Sequence, residues 1–279
     1  MSNKISKDDN RSLQSLELFR NWLAKHSFLK YTGNDNIDDL LMFFLRVKKF
    51  SMQKAYDSFE FTIRFIKSHP DWYLNPGPAD YDYTHKPNSP LTFLKNVDSK
   101  GRRVAIYRMK NVDNFDHVEF FRRMFMTPLL FYFDIDAQIN GVVLVVDFSE
   151  ASMGKMRKVP VQLVYDAFQF SKYDVMRLQQ INVIGMPSFF MPIYELAKKL
   201  TSSKIIQRFN FINDKKELSK HMDVSGLPIE YGGKADELLD FAAFESGIEI
   251  LNKIHKFNVN LSKIHEHENV GSFRKLEID

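Results

Sequence analysis

From about Ser12 to Lys67 the apolar residues recur only at helical spacing. In SLQSLELFRNWLAKH, the residues Leu13, Leu16, Phe19, Trp22 and Leu23 fall on one arc. NIDDLLMFFLRVKKF carries a second arc. Ser51 stands where a helix cap belongs, ahead of a third stripe made by Met52, Ala55, Phe59, Ile63 and Ile66. HPDWYLNPGPADY then sets Pro70, Pro76, Gly77 and Pro78 in quick succession. That is the strongest break in the chain and the natural domain boundary.

Beyond the break, strand and helix patterns alternate. Arg103 to Met109 reads as a strand and His117 to Asp134 as a helix. Val142 to Phe148 is an apolar run typical of a strand covered on both faces. Val159 to Tyr173 is helical, Leu178 to Ile184 a strand, Ser188 to Leu200 a helix and Ile205 to Ile212 a strand. Ala235 to His255 reads as a last helix, followed by a polar tail expected to be solvated. Strand–helix–strand spacing of this kind makes right-handed crossovers and a mainly parallel sheet. The expected fold is α/β: an N-terminal helical bundle over residues 1–75, a mixed, mainly parallel sheet with crossover helices over 90–235, and a C-terminal helix and tail over 236–279.

One helix in this series is unusual. On a wheel of 3.6 residues per turn, Glu195, Lys198, Lys199 and Ser202 share one face, and Phe190, Ile193, Tyr194 and Ala197 the opposite one. Pro192 sits in the first turn, where its missing N–H costs little. The apolar run that opens the helix is too short to cross a bilayer, which takes about twenty residues. Periodicity leaves open whether the inward face meets side chains or a ligand.

Composition sharpens the question. The 279 residues include 26 Phe and no Cys, and the formal net charge is +4. Phenylalanine at that density supplies more bulky apolar surface than a core of Leu and Val needs. The lack of Cys excludes disulfides, thiol catalysis and most structural zinc sites. The charge is too mild for a dedicated nucleic-acid binder and suits a surface that visits anionic lipid. The first residues form no apolar leader and no later run reaches spanning length. The expectation is a soluble cytoplasmic monomer, transiently at membranes, with no nucleic-acid partner.

Motifs for catalysis are missing. The chain contains no nucleophile elbow, dinucleotide fingerprint, Walker loop or zinc-protease helix. Asp147 ends the central strand, where open α/β sheets place ligands and catalysts, and is equally suited to capping a turn. His265 and His267 flank Glu266, but no third ligand is spaced nearby. No enzyme, metal or cofactor is expected. A hydrolase or isomerase built on Asp147 and a histidine is the remaining enzymatic alternative.

Four blocks carry a family resemblance. LLMFFLRVKKFSMQKAYD, NGVVLVVDFSEAS, INVIGMPSFFMPIYELAKKLTSSKIIQRFNFIN and LPIEYGG resemble, in this order, those of the CRAL-TRIO family, over about Ser12 to Phe241. The likeness is greatest to its tocopherol-transfer and retinaldehyde-binding branch. It implies a pocket for one hydrophobic molecule (a retinoid, tocopherol, carotenoid or other isoprenoid), with the unusual helix as a mobile gate over it. By strand alternation and motif position, the lining falls to Phe121, Met124, Pro128, Val142, Val146, Phe170, Ile181, Phe190, Ile193, Tyr194 and Ala197. A phosphoinositide patch, carried over by position, falls to Lys48, Arg177, Lys204 and Arg208. The function implied is carriage of a lipid between membranes with phosphoinositide-assisted release; a phosphoinositide-dependent adaptor with a vestigial pocket is the alternative. Where the family has Asn in the strand-to-gate turn, this chain has Gly185, and where it has Gly after the central strand, this chain has Glu150.

Overall fold

The computed structural model describes residues 9–73, 91–109, 131–234 and 252–266, less short interruptions at 27–28, 32–35, 95, 133, 153, 155–156, 158–159, 174, 201–202, 253–254, 257 and 261. The N-terminal helices form where the apolar arcs predict: α1 (Asp9–His26), α2 (Asp38–Val47) and α3 (Met52–Ser68), with a short α4 (Pro70–Tyr73) after them. On α1 the arc is buried at Leu16 and Phe19, but Leu13, one turn nearer the helix start, is 56% exposed. Asp38 and Asp39 in the first turn of α2 and Arg46 in its last turn complement the helix dipole. Leu40, Leu41, Phe43, Phe44 and Leu45 are all buried, so α2 is the central helix of the bundle. The three helices meet ring to ring. Phe44 stands edge-on to Phe59 at 5.3 Å, and Trp22 of α1 edge-on to Tyr56 of α3 at 4.8 Å. Ser51 occupies the N-cap of α3, but its side chain makes no capping bond. Packing of Ala55, Phe59, Ile63 and Ile66 holds that helix.

The tail departs from expectation. Strand β1 (Leu29–Tyr31) pairs antiparallel with β7 (Ile264–Glu266), so the chain returns to the bundle instead of trailing into solvent. Ile264 is buried in the same apolar cluster as the bundle helices, and Lys67 of α3 donates to its carbonyl.

The sheet has the order β2-β3-β4-β5-β6, made of β2 (Leu91–Phe93), β3 (Arg103–Arg108), β4 (Val142–Asp147), β5 (Leu178–Ile184) and β6 (Phe209–Ile212). Strand β2 is antiparallel to β3, and the other pairs are parallel. Helices α5 (Ile135–Asn140), α6 (Val161–Tyr173), α7 (Met191–Leu200) and α8 (Ser203–Ile206) belong to its connections. The strand expected from Ile205 begins only at Phe209, because Ser203–Ile206 winds into the single turn of α8 and buries Ile205. The helices expected over His117 to Asp134 and Ala235 to His255 lie largely outside the described residues.

Strand alternation splits the sheet into two chemistries. On the front face, which joins the bundle in one apolar cluster, Phe93, Ala105, Leu144, Ile181 and Phe209 form one cross-strand row. Tyr107, Val146, Val183 and Phe211 form the next. The back face carries Val104, Ile106, Val143, Val145, Ile184 and Ile212, covered by Leu218, Met222, Leu227 and Tyr231. Replacing Ile264 by Ala is expected to cost about 2–4 kcal/mol of unfolding free energy. Chemical denaturation checks this, and a loss below about 0.5 kcal/mol, the scale of an ordinary surface change, would remove the tail from the core.

Candidate functional site

The floor of the candidate site is the front face. Val142, Val146 and Ile181, expected to line a pocket, all point to that side and are buried in its cluster. Phe190 is buried against it from above. Tyr194 of α7 sets its ring 4.6 Å from Phe211 and 5.9 Å from Phe209. Five of the expected lining residues are thus brought together. Phe121, Met124 and Pro128 lie outside the described residues, as do the side chains of Phe170, Ile193 and Ala197. Alternation adds Ala105, Tyr107, Leu144, Val183, Phe209 and Phe211 to the same surface. Their parity was legible in the sequence, but only the parallel register shows that they share rows with Val146 and Ile181. Burial raises the Tyr107 phenol well above its usual range, so it is a neutral hydroxyl within an apolar layer.

The cover starts as a single 3-10 turn, Ser188–Phe190, and continues as α7. Its wheel holds: Phe190 and Tyr194 are buried, while Glu195, Lys198 and Lys199 are exposed. Leu196 is 60% exposed. Phe148, Phe189 and Phe190 cluster at its start, with ring centroids 4.6 Å apart for Phe189–Phe190 and 6.3 Å for Phe148–Phe190. Gly185, at the turn into the cover, has φ +62, and a Cβ there would stand 3.2 Å from the backbone N and Cα of Ser149. Glycine adopts that conformation without steric cost.

Asp147 faces the other way. Its register row is Arg108–Asp147–Ile184–Ile212, on the back of the sheet, so its carboxylate does not address the front-face site. There it accepts from the Ser149 backbone N–H at 2.8 Å, the Ser149 hydroxyl at 2.5 Å and the Tyr231 hydroxyl at 2.8 Å, with Lys215 Nζ at 3.3 Å. Lys215 also reaches Glu230 at 3.5 Å, and Glu230 pairs with Arg108 at 2.6 Å. Burial alone would raise the Asp147 pKa, but the bonds from Ser149 and Tyr231 and the charge of Lys215 outweigh it and hold the carboxyl below its ordinary value. Burial and then the Asp147 charge push the Tyr231 phenol far up, which keeps it a donor. A carboxylate so engaged is a latch between the central strand and the LPIEYGG turn, not a poised base.

The four cations of the expected phosphoinositide patch gather at the opposite end, where the parallel strands begin. Arg177 immediately precedes β5, Arg208 immediately precedes β6, and Lys204 lies on α8. Lys48, at the C-cap of α2, donates to the carbonyl of Tyr173, the last residue of α6. Arg177 donates to the Gln138 carbonyl at 3.0 Å, and Arg46 to the Gln138 side chain at 3.2 Å, so α2, α5 and the start of β5 meet here. Lys198 and Lys199 close the last turn of α7, which leads into α8 at this same end. His265 and Glu266 lie in β7, and among the described residues no group of three or more His, Asp or Glu is placed to hold a metal.

A helical bundle joined to an α/β sheet, with an amphipathic helix over the sheet's apolar face, defines the class. The CRAL/TRIO domain matches residues 88–233, just over half of the chain, and the chain belongs to that family. It is 26% identical over 212 residues to the human alpha-tocopherol transfer protein-like protein, covering 72% of this chain and 60% of the relative. To its mouse counterpart it is 24% identical over 237 residues, covering 81% and 66%. To clavesin-1 of Xenopus laevis it is 22% identical over 225 residues, covering 79% and 67%. The chain therefore spans about 60% of the length of the first of these relatives. The crystal structure of Sfh5 superposes with a TM-score of 0.51 at 17% identity, over 88% of this chain and 97% of that one, and shares the fold.

The latch makes a pH-dependent contribution of defined sign. The folded-state pKa of Asp147 is depressed, so its stabilisation is present above the unfolded value of 3.8 and is lost as pH falls through the folded value. Unfolding midpoints followed from pH 7 downward are expected to drop more steeply below about pH 4 in the wild type than in Asp147→Asn. Tyr231→Phe is expected to cost about 1–3 kcal/mol at neutral pH, since it leaves a buried carboxylate oxygen short of a donor. Parallel acid limbs for wild type and Asp147→Asn would show that the carboxylate is not linked to folding.

Proposed function

We propose that the chain carries one lipophilic molecule, a retinoid, tocopherol, carotenoid or other isoprenoid, between membranes as a monomer, and releases it where phosphoinositide is present. The carrying observation is the front face. Two cross-strand rows of aliphatic and aromatic residues lie beneath a helix that presents Phe190 and Tyr194 inward and lysines outward. A ligand that hides about 400 Å² of apolar surface there gains roughly 10 kcal/mol on leaving water. The name of the alpha-tocopherol transfer protein-like relatives supports a tocopherol-like isoprenoid among these.

Membrane contact has its own support. Leu196 on α7 and Val161 and Tyr165 on α6 are exposed by 60%, 64% and 43%, and these two helices pack together. Apolar side chains on the cover and its neighbour suit insertion among acyl chains. At the basic end, Lys48, Arg177, Lys204 and Arg208 would hold the phosphates of an inositol headgroup by charge-assisted bonds. Lys48 already serves the terminal carbonyl of α6. A phosphate that draws its ammonium away removes this tie between α2 and the end of α6, the helix against which the cover packs.

Two experiments test the reading. Protein incubated with tissue lipid extract and re-purified is expected to release a single hydrophobic species into solvent. Ile181→Trp and Val146→Trp are expected to fill the site and abolish uptake while thermal unfolding stays cooperative. Wild-type protein that emerges empty would overturn the carrier. Second, reversing Lys204 and Arg208 to Glu is expected to slow transfer to phosphoinositide vesicles about ten- to a hundredfold, with the effect shrinking as salt rises. Equal rates to neutral and phosphoinositide vesicles, for wild type and variant, would remove the basic patch from the mechanism.

A further inference from the structure

The turn that joins α2 to α3 has a backbone its residue types resist. Lys49 has φ +53 and Phe50 has φ +60, the only non-glycine residues with positive φ among those described. The hydrogen bonds define the motif. Lys49 N–H donates to the Arg46 carbonyl at 3.0 Å and Phe50 N–H to the Leu45 carbonyl at 2.7 Å, the two bonds of a Schellman ending. Such endings usually take glycine at the first of these positions, and the residue after it usually turns an apolar side chain back onto the helix. Here the first is a lysine, and the second is an aromatic ring left 37% exposed. The left-handed conformation disfavours both side chains, so the local sequence is not the one that stability alone would select.

The surroundings name the surface this tip fits. From Arg46 to Lys54 the chain carries four cations, Arg46, Lys48, Lys49 and Lys54, and no acidic residue. Lys49 and Lys54 are exposed, and Lys48 belongs to the basic end described above. An exposed aromatic ring flanked in the chain by exposed lysines at 49 and 54 is chemically complementary to the boundary between anionic headgroups and acyl chains. We infer that the Lys49–Phe50 turn is a membrane-docking tip, with Phe50 entering the interface of an anionic bilayer and Lys49 and Lys54 meeting its headgroups. The inference rests on the proposed contact of the basic end with phosphoinositide membranes, and extends that contact from headgroup recognition to insertion by the helical bundle.

Stability and binding are expected to move in opposite directions. Phe50→Gly keeps the Phe50 N–H bond and removes the strain, so its thermal midpoint is expected to equal or exceed that of the wild type. Its affinity for vesicles of phosphatidylcholine with phosphatidylserine and phosphatidylinositol bisphosphate is expected to fall about tenfold. Lys49→Glu is expected to lose a similar or larger factor, with the loss vanishing on pure phosphatidylcholine. Phe50→Trp provides the direct readout. The introduced indole is expected to shift to the blue and to be quenched by lipids brominated on the acyl chains. The native Trp22 and Trp72, packed against Tyr56 and His69 in the bundle, set the wild-type background. Wild-type binding matched by Phe50→Gly, or an introduced indole that acyl bromines do not quench, would overturn the tip and leave the basic end standing. Wild-type protein that ignores anionic vesicles altogether would overturn both.

Discussion

A buried carboxylate at the end of the central strand is the constraint around which the α/β unit is arranged. Asp147 is 4% exposed, and an ion so placed must be met by donors or it destabilises the fold. The donors come from three parts of the chain: Ser149 just beyond the strand, Lys215 after β6, and Tyr231 in the LPIEYGG turn. Each fixes the segment that supplies it. Tyr231 and Leu227 then close the back apolar layer, and Gly233 sits where a Cβ would lie 1.8 Å from the Leu227 carbonyl oxygen. The glycine is required by that close approach. The motif is therefore the receiving half of a latch whose other half is the aspartate.

The latch also bears on the cover. Ser149 is held by both its backbone N–H and its hydroxyl to one carboxylate oxygen, and the turn at Gly185 rests against that fixed backbone. Gly185 N–H in turn donates to Ile212, and Phe148 N–H to Ile184, so the turn is anchored across three strand ends. A residue with a Cβ at Gly185 would need both a left-handed backbone and a displaced Ser149.

What the sequence made legible follows from which interactions are local. The stripes of α1 to α3, the continuous apolar run of β4 and the limits of β5 all appeared in the pattern, because burial of one face repeats at a fixed period. So did the buried Phe190 and Tyr194 on the cover. The return of the tail was not legible, since β7 spans only Ile264–Glu266 and its partner is β1, near the other end of the chain. Nor was the side to which Asp147 points. The run VVLVVD is apolar at both parities, so alternation alone assigns no face, and only pairing with β3 and β5 does. Ser51 shows the opposite error: its residue type suits a cap, yet the helix behind it is held by packing and the hydroxyl is not used.

The two ends of the cover differ in kind, and that difference bears on how it could move. Its first turn is tied to the latched strand ends through Gly185 and packed by Phe148, Phe189 and Phe190. Its last turn carries Lys198 and Lys199 and leads into α8 among the cations. Between them, among the described side chains of α7, Tyr194 is the buried anchor, whereas Glu195, Leu196, Lys198 and Lys199 face outward. A buried aromatic contributes about 1.5–3 kcal/mol. Phe190 and Tyr194 together therefore hold the cover by about 3–6 kcal/mol, a range that reaches the roughly 5.5 kcal/mol separating a population almost wholly closed from one almost wholly open. Under the proposed function, a membrane taking up Leu196 and attracting the lysines would supply differential contact of that order at the basic end, while the latched end would keep the turn in register. In the proposed cycle the latch end is the pivot and the basic end is the side that lifts.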